Sequence, residues 1–316
     1  MEKILLLILI ACFLIVNLSI GQESTPEDIE KGAIHSSRYW LDIDYIGDRH
    51  IGHRLDIHLP AKTEDNYPVV ICIYGSAWFS NNFKSRAFKN GIGQYLLNNG
   101  FAVVTINHRS SKDAISPAQI HDVKAAIRFV RANAASFSLD DSFIGITGWS
   151  SGGHLAAIAG TTNMLETYYL DGDTVDLEGS LGKHTQTKSH VDAVVDWFGP
   201  TDFLVMDSCG SSISHDDAKS PESSLVGGPI QISKKACKMS DPATYVNNDN
   251  PPFLIFHGDQ DPLVPDCQSE HLYQRQKAAG ATSTLVIVEQ GKHGPGVMIN
   301  KYYEQMISFF KSNMKP

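Results

Sequence analysis

Apolar residues recur along the chain in short runs that predict eight strands of two kinds. The first two strands are Tyr39–Ile46 and Gly52–Pro60, and in the second Leu55, Ile57 and Leu59 alternate with polar residues. Such alternation is typical of antiparallel strands that have one face in solvent. The other six runs are nearly continuous in apolar residues, as expected for parallel strands covered on both faces. They are Val69–Tyr74, Phe101–Ile106, Phe143–Thr147, Ala193–Phe198, Phe253–His257 and Leu285–Glu289.

Helical segments separate the strands, and the clearest of them covers Pro117–Asn133. Four apolar residues at helical spacing form one stripe along it, namely Ile120, Val123, Ile127 and Val130. Ser116 precedes this segment and Gln119 follows three residues later, a spacing that predicts a capping box at the start of the helix.

The alternation of strands and helices predicts one doubly wound α/β domain over residues 39–316. Its sheet should be eight-stranded and mostly parallel, with right-handed crossovers that place helices on both faces. Two long polar stretches, Thr161–His190 and Ser208–Asn250, are predicted to be loops and short helices. We expect them to cover the edge formed by the carboxyl ends of the strands, where sheets of this kind bind ligands.

The first 21 residues have the pattern of a secretory signal peptide. Lys3 precedes the apolar run Ile4–Val16, and small residues then lead to Gly21, after which we expect cleavage. A retained membrane anchor is the alternative, but the run is shorter than the ~20 apolar residues of a spanning helix. Cys12 ends a box that resembles a lipoprotein signal, although it comes very early. We therefore expect a secreted or periplasmic protein without stable membrane insertion, in which residues 22–38 form an N-terminal extension.

Composition and charge exclude several classes of function. Thirty-five acidic residues against 26 basic ones give a net charge of −9, which does not suit binding to a phosphate backbone. The histidines form no HExxH pattern, and Asp171-Gly172-Asp173 lacks the remaining ligands of a calcium loop. His215-Asp216-Asp217 is expected to be a solvated loop rather than a metal or sugar contact. We thus expect no metal, no cofactor and no nucleic-acid partner.

A serine in a strand-to-helix turn is the candidate nucleophile. The segment Gly148-Trp149-Ser150-Ser151-Gly152 follows one predicted strand and precedes the small-residue helix His154–Gly160. In a GxSxG turn of this kind the central serine has a strained backbone and stands exposed above the sheet, so that its neighbours must be small. Ser150 is that central residue. Ser151 is excluded because its register would require a glycine where Trp149 stands.

A serine hydroxyl needs a base, and a histidine held by a carboxylate is the usual one. Two loops that directly follow strands supply these groups, since His293 lies in GKHG while Asp259 and Asp261 lie in GDQDPLVP. The chain order serine, acid, histidine is the one expected after such a turn. His257 competes with His293, but it closes an apolar strand and is expected to be structural. Spacing alone does not separate Asp259 from Asp261, and Asp202 is a third candidate acid.

The tetrahedral intermediate of acyl transfer also needs hydrogen-bond donors for its oxyanion. The backbone N–H of Ser151, directly after the nucleophile, is one candidate. The turn that follows the first parallel strand supplies two others, the backbone N–H groups of Ser76 and Ala77. Trp78 and Trp149, the tryptophans of these two turns, are candidate substrate contacts.

Four segments together resemble the α/β-hydrolase superfamily: IYGSAW, GWSSGGH, FLIFHGDQDPLVP and GKHG. The chain is most similar to secreted bacterial esterases related to hormone-sensitive lipase and to bifunctional acetyl xylan/feruloyl esterases. The resemblance implies a single-domain α/β-hydrolase fold with Ser150 as nucleophile, Asp261 as acid and His293 as base. The family's usual His-Gly-Gly-Gly/Ala-Trp is Tyr74-Gly75-Ser76-Ala77-Trp78 here, a departure at the oxyanion hole itself.

The resemblance implies a serine carboxylic-ester hydrolase that needs no cofactor. Its expected substrates are small-molecule or polysaccharide esters, in particular acetylated or feruloylated plant-type carbohydrate. Two alternatives stay open: a serine peptidase of the same superfamily, and a non-catalytic binding module on the same fold. A complete triad in the right chain order argues against the second, although a fold alone does not establish an activity.

Three cysteines in polar segments could form a disulfide in an exported protein. Cys209 and Cys267 each lie about ten residues beyond the end of a predicted strand. If those two strands are neighbours, both cysteines lie above the same edge of the sheet. We predict a Cys209–Cys267 bond with Cys237 as the alternative partner, and we expect Cys72 to be a buried thiol.

Overall fold

The computed structural model describes residues 34–314. The predicted signal peptide, with Cys12 and the cleavage point after Gly21, lies outside the described residues, as does most of the predicted extension. Within residues 34–314 the strands are β1 (Arg38–Asp44), β2 (Arg54–Leu59), β3 (Tyr67–Ile73), β4 (Ala102–Ile106), β5 (Leu139–Trp149), β6 (Thr167–Leu170), β7 (Asp173–Asp176), β8 (Ala193–Trp197), β9 (Phe253–Gly258) and β10 (Ser283–Val288).

The α-helices of the same part of the chain are α1 (Arg86–Lys89), α2 (Ile92–Asn98), α3 (Ala118–Ala132), α4 (Ser151–Thr161), α5 (Pro221–Val226), α6 (Lys234–Ser240), α7 (Cys267–Ala278) and α8 (Asn300–Asn313). Short 3-10 helices cover Ile51–His53, Ala134–Phe137, Phe203–Val205 and Pro242–Tyr245. None of the helices in the described range combines the length and the hydropathy needed to cross a bilayer.

Eight strands form one sheet in the order β1-β2-β4-β3-β5-β8-β9-β10. The β1–β2 and β2–β4 pairs are antiparallel, and all the other neighbouring pairs are parallel. The two runs predicted to be antiparallel are β1 and β2, and the continuous apolar runs are the parallel strands. The predicted solvent face of β2 is wrong, because its polar residues Asp56 and His58 are buried as well. The predicted α/β-hydrolase fold with a mostly parallel eight-stranded sheet is thereby confirmed.

The residues of β3 illustrate why the parallel strands are apolar on both sides. Val69, Ile71 and Ile73 belong to the core cluster that includes the buried side of α3 and α4. Val70 and Cys72 belong to the cluster that includes α2 and α8. Each face of the sheet is therefore covered by helices, and alternate side chains of one strand pack into separate cores.

One predicted loop contains a hairpin. Within Thr161–His190, the strands β6 and β7 pair antiparallel as a separate two-stranded sheet. Most of their side chains are exposed or half-buried, and Val175 packs with Leu177 and Tyr245 in a small cluster of its own. The prediction of loops and short helices is wrong here because four-residue strands that bury so few side chains leave no clear apolar pattern.

The long helix α3 forms as predicted, but its predicted cap does not. The four residues of its apolar stripe are all buried. Gln119 Nε2 donates to Ala114 O at 2.6 Å, and Ser116 Oγ accepts from Ser240 Oγ at 2.8 Å, so neither side chain caps the helix. Contacts with the preceding loop and with α6 take these side chains away from the helix N-terminus.

The structure joins Cys209 to Cys267 in a disulfide, which confirms the predicted pair, while Cys72 and Cys237 are buried free thiols. Cys267 is the first residue of α7, directly after the loop that carries Asp261. Two residues beyond Cys209 the chain bonds to that same loop, where Ser211 Oγ donates to Leu263 O at 3.1 Å. The disulfide therefore fixes a segment that holds the loop of the predicted acid.

His215 belongs to this fixed segment, and the prediction of a solvated loop is wrong for it. Its side chain is buried, and its Nδ1 lies 3.0 Å from Glu222 Oε2, which is also buried. On the other side its Nε2 lies 3.0 Å from Leu263 O, a carbonyl of the loop that carries Asp261, here called the acid loop. Burial alone would lower the pKa of His215, but the hydrogen bond and the charge of Glu222 raise it.

Removing the disulfide should weaken both stability and catalysis. In the variant with Cys209→Ser and Cys267→Ser, we expect the free energy of unfolding to fall by about 4 kcal/mol, since the bond closes a long loop in the unfolded chain. Turnover should fall at temperatures where the variant is still folded, because the disulfide no longer fixes the segment that holds the loop carrying Asp261. Urea unfolding and ester turnover measure the two effects. Dithiothreitol should reproduce them in the wild type and leave the double variant unchanged; an equal response of both proteins to the reductant contradicts the prediction.

Candidate active site

The turn between β5 and α4 holds Ser150 above the sheet. Ser150 has φ 56° and ψ −128°, a conformation that costs a non-glycine residue of the order of 1–3 kcal/mol. The turn is tight enough to exclude side chains from its neighbours. A Cβ on Gly148 would lie 2.2 Å from the carbonyl oxygen of Gly152, and one on Gly152 would lie 2.2 Å from that of Ile73. The glycines of the motif are therefore a packing requirement of the turn.

Three predicted catalytic side chains meet at this turn. His293 Nε2 lies 2.9 Å from Ser150 Oγ, and His293 Nδ1 lies 2.7 Å from Asp261 Oδ2. Both distances are those of hydrogen bonds. The chain from serine through imidazole to carboxylate is the arrangement that lets a histidine take a proton from a serine hydroxyl.

The structure separates the three candidate acids that the sequence left open. The Asp261 side chain is fully buried, and its Oδ1 accepts from the N–H groups of Leu263 and Val264 at 2.9 and 3.0 Å. Asp259, two residues earlier, is exposed. Asp202 instead accepts from Leu204 N–H at 3.0 Å and caps a 3-10 helix. Only Asp261 is brought to His293.

Asp261 is kept ionised by the groups around it. Burial alone would raise the pKa of its carboxyl group, but hydrogen bonds from His257 and His293 outweigh burial and hold the pKa below its ordinary value. A carboxylate beside Nδ1 fixes the proton on that nitrogen and leaves Nε2 free to accept the proton of Ser150.

Two buried rings support the triad. His257 Nδ1 lies 2.6 Å from Ser269 Oγ, and its Nε2 lies 2.8 Å from Val264 O and 3.5 Å from Asp261 Oδ2. His257 is thus a buried histidine with both ring nitrogens bonded, as the sequence interpretation expected. Phe198 packs on the imidazole of His293 with 4.6 Å between ring centroids, a contact that the sequence analysis missed.

The predicted oxyanion turn follows β3 and packs against Ser150. A Cβ on Gly75 would lie 2.8 Å from Ser150 Cβ, so the two turns are in contact. Ala77 and Trp78 both have positive φ, 52° and 55°, and Phe79 N–H donates to Ser76 O at 3.0 Å. This is the geometry of a type I′ turn, held here by two non-glycine residues at a strain that is typical of functional sites.

Tyr74 stands where the similar esterases usually have histidine, and its side chain contacts the segments on either side of this turn. Its hydroxyl donates to Ser80 O at 2.9 Å, beyond the turn. Its ring stacks on His108 at 4.9 Å between centroids. Tyr74 therefore links the end of β3 to the segment that follows the oxyanion turn.

Two of the predicted contacts need correction. The N–H of Ser76 donates to the side-chain oxygen of Ser151 at 2.8 Å, so it does not stand free as an oxyanion donor in this structure. The ring of Trp78 belongs to the apolar core, where His154 and Phe203 pack edge-on against it at 5.1 and 5.6 Å, so it is a packing residue and the predicted direct substrate contact is wrong. Trp149 is only half-buried and remains a candidate substrate contact.

A buried carboxyl group lies beneath the nucleophile turn, and the sequence analysis missed it. Asp196 Oδ1 accepts from Gly199 N–H at 3.0 Å, and a Cβ on Gly153 of α4 would lie 2.3 Å from the same oxygen. Its Oδ2 is buried without a hydrogen-bond partner among the described residues. Burial raises the pKa of Asp196 to about 7. An acidic residue inside an otherwise apolar run, AVVDWF, was the signal that could have identified it.

The raised pKa of Asp196 predicts that the contribution of this one group to folding stability falls as the pH rises. Between pH ~4 and ~7 the folded protein holds a proton on Asp196 that the unfolded chain has lost, so the contribution present at acidic pH is lost by pH 7. The shift corresponds to about 4 kcal/mol at most. Asp196→Asn cannot titrate, so between acidic pH and pH 8 it should not show the loss of stability that Asp196 causes in the wild type. Urea unfolding of both proteins at pH 4.5 and pH 8 measures the difference, and parallel profiles contradict the assignment.

One group among residues 34–314 has the composition of a metal site. Asp202, Asp241 and His271 each offer one ligand atom, and these atoms lie within 4.8 Å of one another. The three residues come from separate segments beyond the carboxyl ends of β8 and β9. Burial and the charge of Asp202 raise the pKa of Asp241 to about 7. The group is distinct from the Ser150–His293–Asp261 chain.

A family profile and two solved structures are similar to most of this chain. The BD-FAE family profile matches residues 55–276. A solved structure described as a truncated carbohydrate esterase from gut microbiota is 48% identical, with a TM-score of 0.85, and the match covers 89% of this chain and 98% of that one. A bifunctional GH43-CE protein of Bacteroides eggerthii is also 48% identical, with a TM-score of 0.82, covering 88% of this chain and 38% of that one.

The curated relatives are longer proteins. Esterase LipQ of Mycobacterium tuberculosis is 30% identical over 220 residues, which are 68% of this chain and 47% of LipQ. The carboxylic ester hydrolase LipM of the same organism is 30% identical over 258 residues, 78% of this chain and 53% of LipM. The chain thus spans about half the length of the curated relatives it matches.

Proposed function

The chain belongs to the BD-FAE family, and from that premise we propose that it is a carboxylic-ester hydrolase that works through a serine acyl-enzyme. The observation that carries the proposal is the hydrogen-bonded chain from Ser150 through His293 to Asp261, at 2.9 and 2.7 Å. The esterase relatives support the reaction class, and the geometry of the triad supports the serine mechanism.

In the proposed reaction Ser150 Oγ attacks the carbonyl carbon of the ester, and His293 Nε2 takes its proton. The carbonyl oxygen becomes an oxyanion beside the backbone N–H groups of Ala77 and Ser151. When the tetrahedral intermediate collapses, His293 gives the proton to the leaving alcohol and an acyl-Ser150 ester remains. Water activated by the same histidine then releases the acid and restores the serine. Every proton moves through His293, so no cofactor is needed.

We further propose that the alcohol part of the substrate is a carbohydrate, as in acetylated or feruloylated plant-type polysaccharide. The two solved structures at 48% identity support this class, since one is described as a carbohydrate esterase and the other as a bifunctional GH43-CE protein. Half-buried Trp149 lies beside the nucleophile, and Phe79 and Phe83, which follow the oxyanion turn, are each more than a third exposed. Aromatic rings at such positions can stack on sugar rings or on an aromatic acyl group.

A substrate panel tests the reaction class and the substrate class together. p-Nitrophenyl acetate, acetylated xylan, methyl ferulate, an acetylated amino sugar and a proline-containing peptide are offered to the wild type. We expect ester cleavage, with higher kcat/KM on the carbohydrate esters than on the simple acetate, and no peptide cleavage. Cleavage of the peptide alone would favour the peptidase alternative, and an inert wild type would favour a binding module.

We also propose that the protein is exported after removal of residues 1–21. The short basic start, the apolar run and the small residues before Gly21 support export, and the Cys209–Cys267 bond is compatible with an oxidising compartment. The N-terminus of the protein isolated from its native cells tests this proposal. A mature chain that begins at Gln22 is expected, whereas an unprocessed chain or one that begins with a lipid-modified Cys12 contradicts it.

A further inference from the structure

The oxyanion hole of this protein contains a hydroxyl group that alters its donors. Ser151 supplies one predicted backbone donor, and its side chain also reaches across to the oxyanion turn. There Ser151 Oγ accepts the N–H of Ser76 at 2.8 Å, a full hydrogen bond by distance. The backbone donor that the sequence predicted at Ser76 is therefore occupied by the residue that follows the nucleophile.

The hydroxyl of Ser151 still has a proton to donate. A serine hydroxyl carries one donor and two acceptor positions, and the bond from Ser76 uses only an acceptor position. Ser151 is 1% exposed, and within the described residues no protein atom accepts a hydrogen bond from its hydroxyl. Since Gly75 lies against Ser150 Cβ, the Ser76–Ser151 bond is adjacent to the nucleophile.

We propose that the Ser151 hydroxyl is an oxyanion donor and that it replaces the Ser76 N–H in this role. This inference rests on the proposed esterase function. When Ser150 attacks, the hydroxyl of Ser151 turns about its Cβ–Oγ bond and donates to the developing oxyanion, beside the backbone N–H groups of Ala77 and Ser151. No proton is transferred in this contact. The N–H of Ser76 polarises the hydroxyl, because a group that accepts a hydrogen bond becomes a stronger donor.

The geometry of the nucleophile turn favours this role. Ser151 is the first residue of α4, an 11-residue helix whose N-terminus carries a partial positive charge next to the reacting atoms. A side chain in this position is held by its own helix and by the Ser76 bond. Preorganised donors of this kind act on charge that develops only in the transition state, so that they raise kcat rather than tighten substrate binding.

Ser151→Ala is the decisive variant, since it deletes one oxygen and releases the N–H of Ser76. We expect kcat to fall about 10- to 100-fold and KM to change less than about twofold. The loss in kcat should be smaller than the largest losses seen for a single oxyanion donor, because the freed N–H of Ser76 partly compensates. The inhibition constant of an alkyl boronic acid, which forms a tetrahedral adduct with serine, should rise by a similar factor. Ser151→Thr restores the hydroxyl and should recover most of the rate, whereas Ser151→Cys, a weak donor, should stay near the alanine variant.

The controls separate the outcomes. Ser80→Ala removes a hydroxyl from the neighbouring loop and should leave kcat near the wild-type value, and thermal unfolding shows that each variant is folded. A Ser151→Ala protein as fast as the wild type, with an unchanged boronate constant, overturns the inference and leaves the esterase proposal intact. The rate at which a phosphonate labels Ser150 gives an ester-independent comparison of the same variants. If the wild type neither cleaves esters nor is labelled, both proposals fail.

Discussion

Replacing Ser150 with alanine should lower kcat/KM for p-nitrophenyl acetate by at least about 10⁴-fold. The variant lacks the atom that forms the acyl-enzyme, and only the weak catalysis provided by the oxyanion hole and substrate binding should remain. A fluorophosphonate should label the wild type at Ser150, as located by peptide mass mapping, and should not label the variant. The burst of p-nitrophenol that reports acyl-enzyme formation should disappear as well.

We expect the variant to keep the fold, so that the loss of activity can be assigned to the chemistry of the missing hydroxyl. Alanine retains the Cβ and removes only the oxygen that is hydrogen-bonded to His293. We therefore expect a thermal unfolding midpoint no lower than that of the wild type. Phosphonate labelling of the alanine protein at the wild-type rate would falsify the assignment of the nucleophile.

Asp261→Asn should lower kcat by about 10³- to 10⁴-fold while KM stays within a few-fold of the wild type. The asparagine Oδ1 can still accept the N–H groups of Leu263 and Val264, so the loop keeps its shape. Its amide nitrogen then faces His293 Nδ1 and donates to it. That contact forces the proton of the imidazole onto Nε2, and a protonated Nε2 cannot accept the proton of Ser150.

Asp259→Asn is the matched control, because the same change is made two residues away on an exposed side chain. It should alter kcat less than about threefold. Steady-state kinetics of both variants on one soluble ester give the comparison. A larger loss for Asp259→Asn than for Asp261→Asn would contradict the structural placement of the acid loop.

Local patterns predicted most of the fold and the triad, because each signal is carried by neighbouring residues. The continuous apolar runs located the parallel strands to within a few residues, since burial on both faces leaves no room for alternation. Ser150 was identifiable because the tight turn around it admits only small residues at Gly148 and Gly152. His293 was identifiable because it directly follows a strand end.

The parts that the sequence did not predict depend on contacts between distant segments. The bond between Ser76 and Ser151 spans 75 positions and follows from how closely two turns pack. The burial of Trp78 depends on Phe203, from a three-residue 3-10 helix that is too short to leave a pattern in the sequence. The choice between Asp259 and Asp261 needed the resemblance, because two aspartates two positions apart in one loop give the same local signal.

The backbone of Ser150 links the stability of this protein to its activity. Its φ of 56° is one that glycine adopts without penalty, so Ser150→Gly should relieve strain and unfold at a higher temperature than the wild type while keeping only the weak residual turnover expected of the alanine variant. The nucleophile is thus a site where selection for activity opposes selection for thermostability. A screen that selects only for a higher unfolding temperature would favour the inactive Ser150→Gly variant. Engineering this protein for use at higher temperature therefore requires that ester turnover is measured in every round of selection.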